Sequence, residues 1–197
     1  MTRWQQFYLE DERVLSTPPS DCSRTAVEAF SKRNKHFILD LGCGVGRDSF
    51  YLAENGFFVV GVDLAESALT IADHFRKKKK KNIVLLRADA RDLPFPDASF
   101  EGIYCFGLLH EFTGETKEDD IREVMAEIYR VLEPAGLLVL AVLSGEPDEG
   151  LPHVYLFTEQ MFDAATRSFQ HLDKREYYDI GCTGKKDYRV WCGVFTK

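Results

Sequence analysis

Short apolar runs alternate along the chain with longer stretches whose apolar residues return every three to four positions. FILDL (37–41), FFVVGVD (57–63), NIVLLRADA (82–90), SFEGIYCFG (99–107) and LLVLAVL (137–143) have the length and composition of buried strands. The intervening stretches read as helices. RDSFYLAEN (47–55) is closed by Gly56, and AESALTIADHFRKK carries Ala68, Leu69, Ile71, Ala72 and Phe75 as its apolar positions. Residues 117–132 set Ile121, Val124, Met125, Ile128 and Leu132 on one face, and Pro134-Ala135-Gly136 is expected to stop that helix before the fifth strand. An earlier helix starts near Asp21, after the break at Pro18-Pro19, with Ala26, Val27 and Phe30 inward.

Strands alternating with helices imply parallel β-α-β units, with helices on both faces of one sheet. Ligands of such sheets bind beyond the carboxyl ends of the strands, near the point where strand order reverses. The last third departs from this pattern. A loop (144–157) leads to a helix (158–168), then to FQHLDKREYYDI and DYRVWCGVFTK, which read as an antiparallel hairpin around GCTGKK at the sheet edge. The organisation expected is a single domain over 1–197. It would comprise an N-terminal lid segment (1–20), a cofactor-binding core (37–143) and a substrate-side loop, helix and terminal hairpin (144–197).

The 197 residues suffice for one substantial core, and the balance of 45% apolar to 29% charged residues is that of a globular protein. A net charge of −7 argues against a nucleic-acid or anionic-membrane partner. The run KKKKK (77–81) reads as a solvated helix end, where the helix dipole favours cations. Cys22, Cys43, Cys105, Cys182 and Cys192 form no C-x-x-C pair, which suits a reducing compartment and offers no metal pattern. MTRWQQFYLEDERV has no apolar signal core, and no apolar run approaches the roughly 18 residues of a membrane span, so a cytoplasmic protein is expected.

The chemistry concentrates between the first two strands. A dinucleotide site uses G-x-G-x-x-G to cradle a pyrophosphate. Here the loop is Asp40-Leu-Gly42-Cys-Gly44-Val-Gly46, with an acid ahead of the first glycine. That carboxylate would repel a diphosphate and attract an ammonium. Asp63, closing the second strand, can accept hydrogen bonds from both hydroxyls of a ribose. The expected ligand is adenosine-like at one end and cationic at the other, as S-adenosylmethionine is. A nicotinamide dehydrogenase fits the loop poorly.

On these residues the chain resembles the class I S-adenosylmethionine-dependent methyltransferases over about 20–145, in a small-molecule type similar to the tellurite-resistance and thiopurine enzymes. ILDLGCGVGR matches the family's first motif and VVGVDLAESAL its second. RADARDLPFPDASFEGIYCFGLLHEF and IYRVLEPAGLLVLAV match the stretches that follow. The resemblance implies a three-layer, Rossmann-like α/β fold whose seven-stranded, mostly parallel sheet has the order 3-2-1-4-5-7-6 with strand seven antiparallel. It implies that Asp40, Gly42, Cys43, Gly44 and Gly46 sit against the methionine end and that Asp63 takes the ribose. Leu64 would flank the adenine, Asp89 and Ala90 would meet its edge, and Phe106 and Gly107 would offer carbonyls near the ammonium. Arg47 either contacts the methionine carboxylate or substrate, or faces solvent at the helix start. Glu101 stands where many members carry Asp, a surface-side change.

Methyl transfer from a sulfonium is an in-line displacement, so alignment and a dry pocket do most of the work. A base is needed only for a protonated acceptor. His110, just past the fourth strand, is the candidate base, although a packed or hydrogen-bonded structural residue is the commoner role for such a histidine. Trp4, Tyr8, His110, Glu111, His153 and Tyr155 are the candidate substrate contacts. The Asn/Asp-Pro-Pro-aromatic motif of DNA amine methylation, the Pro-Cys of cytosine methylation and the double-glutamate loop of arginine methylation are absent from the sequence. A small-molecule acceptor is therefore expected, with S-adenosylhomocysteine as the other product. The alternative is a protein that binds S-adenosylmethionine without catalysis, as a partner subunit or sensor. No feature of the chain fixes an oligomeric state.

Overall fold

The computed structural model describes residues 17–79, 82–146, 154–180 and 188–197. Trp4, Tyr8, His153, Cys182 and the turn GCTGKK lie outside them.

The elements run α1 (Asp21–Lys32), β1 (Phe37–Leu41), α2 (Arg47–Glu54), β2 (Phe58–Asp63), α3 (Glu66–Lys79), β3 (Ile83–Arg87) and β4 (Phe100–Phe106). After a 3-10 turn (Leu109–Glu111) come α4 (Lys117–Val131), β5 (Leu132–Leu143), α5 (Glu159–Ala165), β6 (Gln170–Asp179) and β7 (Tyr188–Thr196). They form one seven-stranded sheet of order β3-β2-β1-β4-β5-β7-β6. Strands β1 to β5 pair in parallel, while β7 pairs antiparallel with both β5 and β6. This is the order the resemblance implies.

Period-two alternation sorts the core into two layers. Leu39, Leu41, Ile103, Cys105, Leu138 and Leu140 face α4, where Ile121, Val124 and Ile128 close the layer. Ile38, Tyr104, Leu137, Val139 and Ala141 point the other way, against Ala26 and Phe30 of α1 and Phe50 and Leu52 of α2. Gly102 permits the close approach of α1. A Cβ there would lie 2.7 Å from both Ile38 Cδ1 and Phe30 Cε1.

Two boundaries differ from expectation. Pro134-Ala135-Gly136 does not stand between α4 and β5 as a separate stop. The helix passes directly into a strand beginning at Leu132, which pairs with Phe100. The register then shifts so that Gly102 meets Leu137, and Ala135 takes a left-handed φ of 59° at that irregularity. The helix expected over 158–168 is regular only to Ala165, with Thr158 capping it by accepting from Met161 N at 3.3 Å.

Glu101 does more than face the surface. Its carboxylate accepts the backbone N–H of Phe37 at 3.0 Å and that of His36, fixing the entry to β1. Cys22, Cys43, Cys105 and Cys192 are free and buried. No helix among the described residues is long and apolar enough to cross a membrane.

Candidate active site

Strand order reverses between β1 and β4, and the crevice beyond their carboxyl ends holds a cavity of about 360 Å³. Its wall carries Asp40, Gly42, Cys43 and Gly44 from the glycine loop, with Arg47 at the start of α2. Asp63 and Leu64 join them from the end of β2, Asp89 and Ala90 from beyond β3, and Phe106 and Gly107 from β4. Gly46 does not reach the wall. It turns the chain into α2 with φ 82°, and a Cβ there would meet Phe50 Cε2 at 3.0 Å.

Four of the loop amides are already engaged. Gly42 N and Cys43 N donate to Val62 O at 2.8 and 3.0 Å, and Gly46 N donates to Cys43 O at 2.9 Å. Gly44 N donates to Asp63 Oδ2 at 2.8 Å. A phosphate cradle needs such amides directed at the ligand; here they tie the loop to β2 and to its terminal carboxylate.

Asp40 is 2% exposed and accepts a hydrogen bond from Ser49 Oγ. Burial pushes its carboxyl up to about 7, with the Ser49 bond acting in the opposite direction. Asp63 is also raised by burial, offset by hydrogen bonds from the amides of Ala65, Gly44 and Leu64. Asp89 is different: Arg91 donates to it from Nε at 3.1 Å and Nη2 at 2.7 Å, which holds it below the usual carboxylate range.

Arg47 does not face solvent. Its guanidinium donates to Asp48 Oδ2 at 2.9 Å and to Ile180 O at 3.1 Å, and it lies over the Phe106 ring at 5.2 Å. Asp48, a residue the sequence did not single out, is buried and lines the cavity. It accepts from Ser20 N at 2.9 Å and Tyr104 OH at 2.9 Å. Burial acts to raise Asp48, but the charge and hydrogen bonds of Arg47 outweigh it and hold the carboxyl low.

The far end of the cavity lies over β4, β5 and β7. His110 and Glu111 are there, with Leu143, Val154 and Tyr188, none of the last three anticipated. His110 Nδ1 accepts the backbone N–H of Leu143 at 3.1 Å. Tyr155 does not line the cavity; its ring packs against Phe157 at 5.4 Å and beneath the Lys117 ammonium at 5.1 Å. Strand parity separates Tyr188 from Arg189 and Trp191 but does not tell which of the two faces meets the cavity; the structure places Tyr188 there. Arg189 pairs with Glu176 at 3.5 Å and Trp191 stacks on Phe162.

Comparison with known proteins agrees with this geometry. The methyltransferase domain family matches residues 39–140. The Bacillus subtilis (strain 168) protein YqeM, to which a methyltransferase function is ascribed, is 35% identical over 142 residues, covering 72% of this chain and 56% of its own. A demethylmenaquinone methyltransferase of Thermus thermophilus is 33% identical over 134 residues, covering 67% of this chain and 58% of its own. The chain thus spans a little over half the length of these curated relatives. A crystal structure of the Burkholderia thailandensis 1,6-didemethyltoxoflavin-N1-methyltransferase, with 1,6-didemethyltoxoflavin and S-adenosylhomocysteine bound, superposes with a TM-score of 0.69 at 20% identity, over 90% of this chain and 78% of that one. The chain belongs to the methyltransferase domain family, within the class I S-adenosylmethionine-dependent methyltransferases that its motifs resemble.

Proposed function

We propose that the cavity binds S-adenosylmethionine and that the protein passes its methyl group to a small-molecule acceptor held over the ends of β4, β5 and β7. The observation that carries this reading is the glycine loop. Four of its amides are spent on Val62, Cys43 and Asp63, and a buried carboxylate, Asp40, stands at its base. That arrangement disfavours a diphosphate and suits an ammonium. A buried acid raised to about 7 is a group that a neighbouring cation would ionise.

In this reading Asp63 accepts the ribose hydroxyls with the acceptor capacity left beside Gly44 N and Ala65 N, each 2.8 Å away. Leu64, which is 48% exposed, offers an apolar surface to the adenine, and Asp89 and Ala90 bound its edge. Asp40 and the carbonyls of Phe106 and Gly107 receive the ammonium. The sulfonium supplies an electrophilic methyl group. The chain supplies alignment and exclusion of water, with Phe106, Leu108, Phe112 and Leu143 forming the apolar part of the wall. The Thermus relative, named for a quinone acceptor, supports a small-molecule substrate.

Calorimetry with S-adenosylmethionine, S-adenosylhomocysteine and NAD tests the ligand, and label transfer to small phenols, thiols and amines tests the reaction. Binding of both sulfur ligands but not NAD, with transfer to at least one probe, is expected. NAD binding with both sulfur ligands ignored would overturn the assignment. Tight binding of both without transfer would favour a sensor or partner subunit.

A further inference from the structure

We propose that Ser49 is a positioning residue for the methionine end: its hydroxyl holds one oxygen of Asp40, which favours the charged carboxylate and leaves the other oxygen for the ligand's ammonium. The inference rests on the reading of the cavity as an S-adenosylmethionine site and names the group that readies its acid.

It begins with the parity of β1. Asp40 pairs with Gly61 of β2 and with Tyr104 of β4, so it sits in the middle of the sheet. Leu39 and Leu41 face α4, and alternation turns Asp40 to the side of Ile38, where α2 packs. A charge in that layer has little water to solvate it and needs a partner from the protein or from a ligand.

Ser49, in the first turn of α2 and fully buried, is the protein's partner. A serine in a helix commonly bonds a carbonyl of its own preceding turn. Ser49 Oγ instead donates to Asp40 Oδ2, nine positions back. Among the described residues no other group donates to this carboxylate. Oδ1 is therefore a buried acceptor with no donor among them, on a residue that lines the cavity. A molecule in the cavity is the remaining source of that donor, and an ammonium brings the opposite charge as well.

The surroundings of Asp40 make the hydroxyl decisive. Asp48 of α2 and Asp63 of β2 oppose its charge, while Arg47 of α2 favours it but is itself paired with Asp48. Cys43 of the loop and Cys105 of β4 are thiols whose ionisation burial suppresses, and Tyr104 OH is donated to Asp48. Burial acts most strongly and raises the carboxyl; the Ser49 bond is the larger of the two influences that lower it. Without that bond Asp40 would keep its proton to higher pH, and a neutral acid attracts an ammonium far less.

Carbon NMR of protein labelled with 13C-carboxyl aspartate, with the Asp40 signal assigned by Asp40→Asn, reads the link without a ligand. Ser49→Ala should raise the Asp40 midpoint by about one pH unit, and an unmoved midpoint would overturn the proposal. Calorimetry with S-adenosylhomocysteine and with 5′-methylthioadenosine, which lacks the amino-acid tail, reads the consequence. Ser49→Ala should weaken S-adenosylhomocysteine nearly tenfold at about pH 6 and only about twofold at about pH 8. The tail-less nucleoside should lose less than about twofold at either pH, and in an Asp40→Asn background the same substitution should move neither ligand by more than that. Equal losses on both ligands, or a loss that does not vary with pH, would make Ser49 merely structural and overturn the proposal. If the unmutated protein binds neither ligand, the S-adenosylmethionine reading falls and takes the role towards the ammonium with it, while the midpoint still reports whether Ser49 holds Asp40.

Discussion

Asp63 Oδ2 accepts the amide of Gly44 at 2.8 Å, so the carboxylate at the end of β2 and the glycine loop after β1 form one unit. Replacing Asp63 therefore does two things at once: it removes the acceptor proposed for the ribose and releases the loop proposed to shape the methionine end. Asp63→Ala should weaken S-adenosylhomocysteine binding by roughly 1–3 kcal/mol, about ten- to a hundredfold. Isothermal calorimetry checks this, and unchanged affinity would place the ribose elsewhere.

Asp40 gives the binding a pH signature. Burial raises its carboxyl to about 7, and an ammonium ligand prefers the ionised form. Affinity should be level above about pH 8 and fall nearly tenfold towards about pH 6, with proton release on binding below neutrality. Calorimetry in buffers of different ionisation enthalpy detects that release, and Asp40→Asn should abolish it. The sign for stability is opposite to that of a salt-bridged acid. The ligand-free folded state keeps a proton the unfolded chain gives up, so this group's contribution declines as pH rises from about 4 to about 7.

Asp179, at the end of β6, is fully buried and accepts the amides of Asp21 at 2.7 Å and Cys22 at 2.9 Å, capping α1 from across the sheet. Asp179→Ala should cost about 2 kcal/mol, because two amides of the first helical turn lose their acceptor. For a chain of this length that corresponds to a fall in Tm of about 4–8 °C, readable by circular dichroism. A change within about 1 °C would mean that water replaces the carboxylate without loss.

Gly102 tests the packing of α1. With Ile38 and Phe30 each 2.7 Å from where a Cβ would stand, Gly102→Ala should destabilise by about 1–3 kcal/mol through displaced core side chains. Urea denaturation measures it, with the slope expected to stay unchanged.

What could be read in advance follows from range. The five parallel strands and the helices between them repeat their apolar residues at periods of two or three to four, and a period is visible within a dozen residues. The loop Asp40–Gly46 and the acid at Asp63 were legible for the same reason, since the spacing that forms the site lies within one β-α-β unit. The edge hairpin also showed in its alternation.

Other parts of the site depend on pairs far apart in the chain. Asp48 meets Ser20 across 28 positions, Tyr104 reaches Ser20 across 84, and Asp179 caps a helix 157 positions before it. Local patterning marks a polar residue but not the partner that folding brings to it. His110 shows the division most sharply. Its place after β4 was evident from the chain, but the Leu143 N–H that its Nδ1 accepts is left over because β5 runs two residues past its neighbour. The sequence by itself determined the order of the elements, the faces they bury and the loop at the head of the crevice, because each is a local or periodic property. Only the tertiary structure decided which distant polar groups pair around the crevice, because that depends on backbone and side-chain groups that meet only when the strands and helices pack.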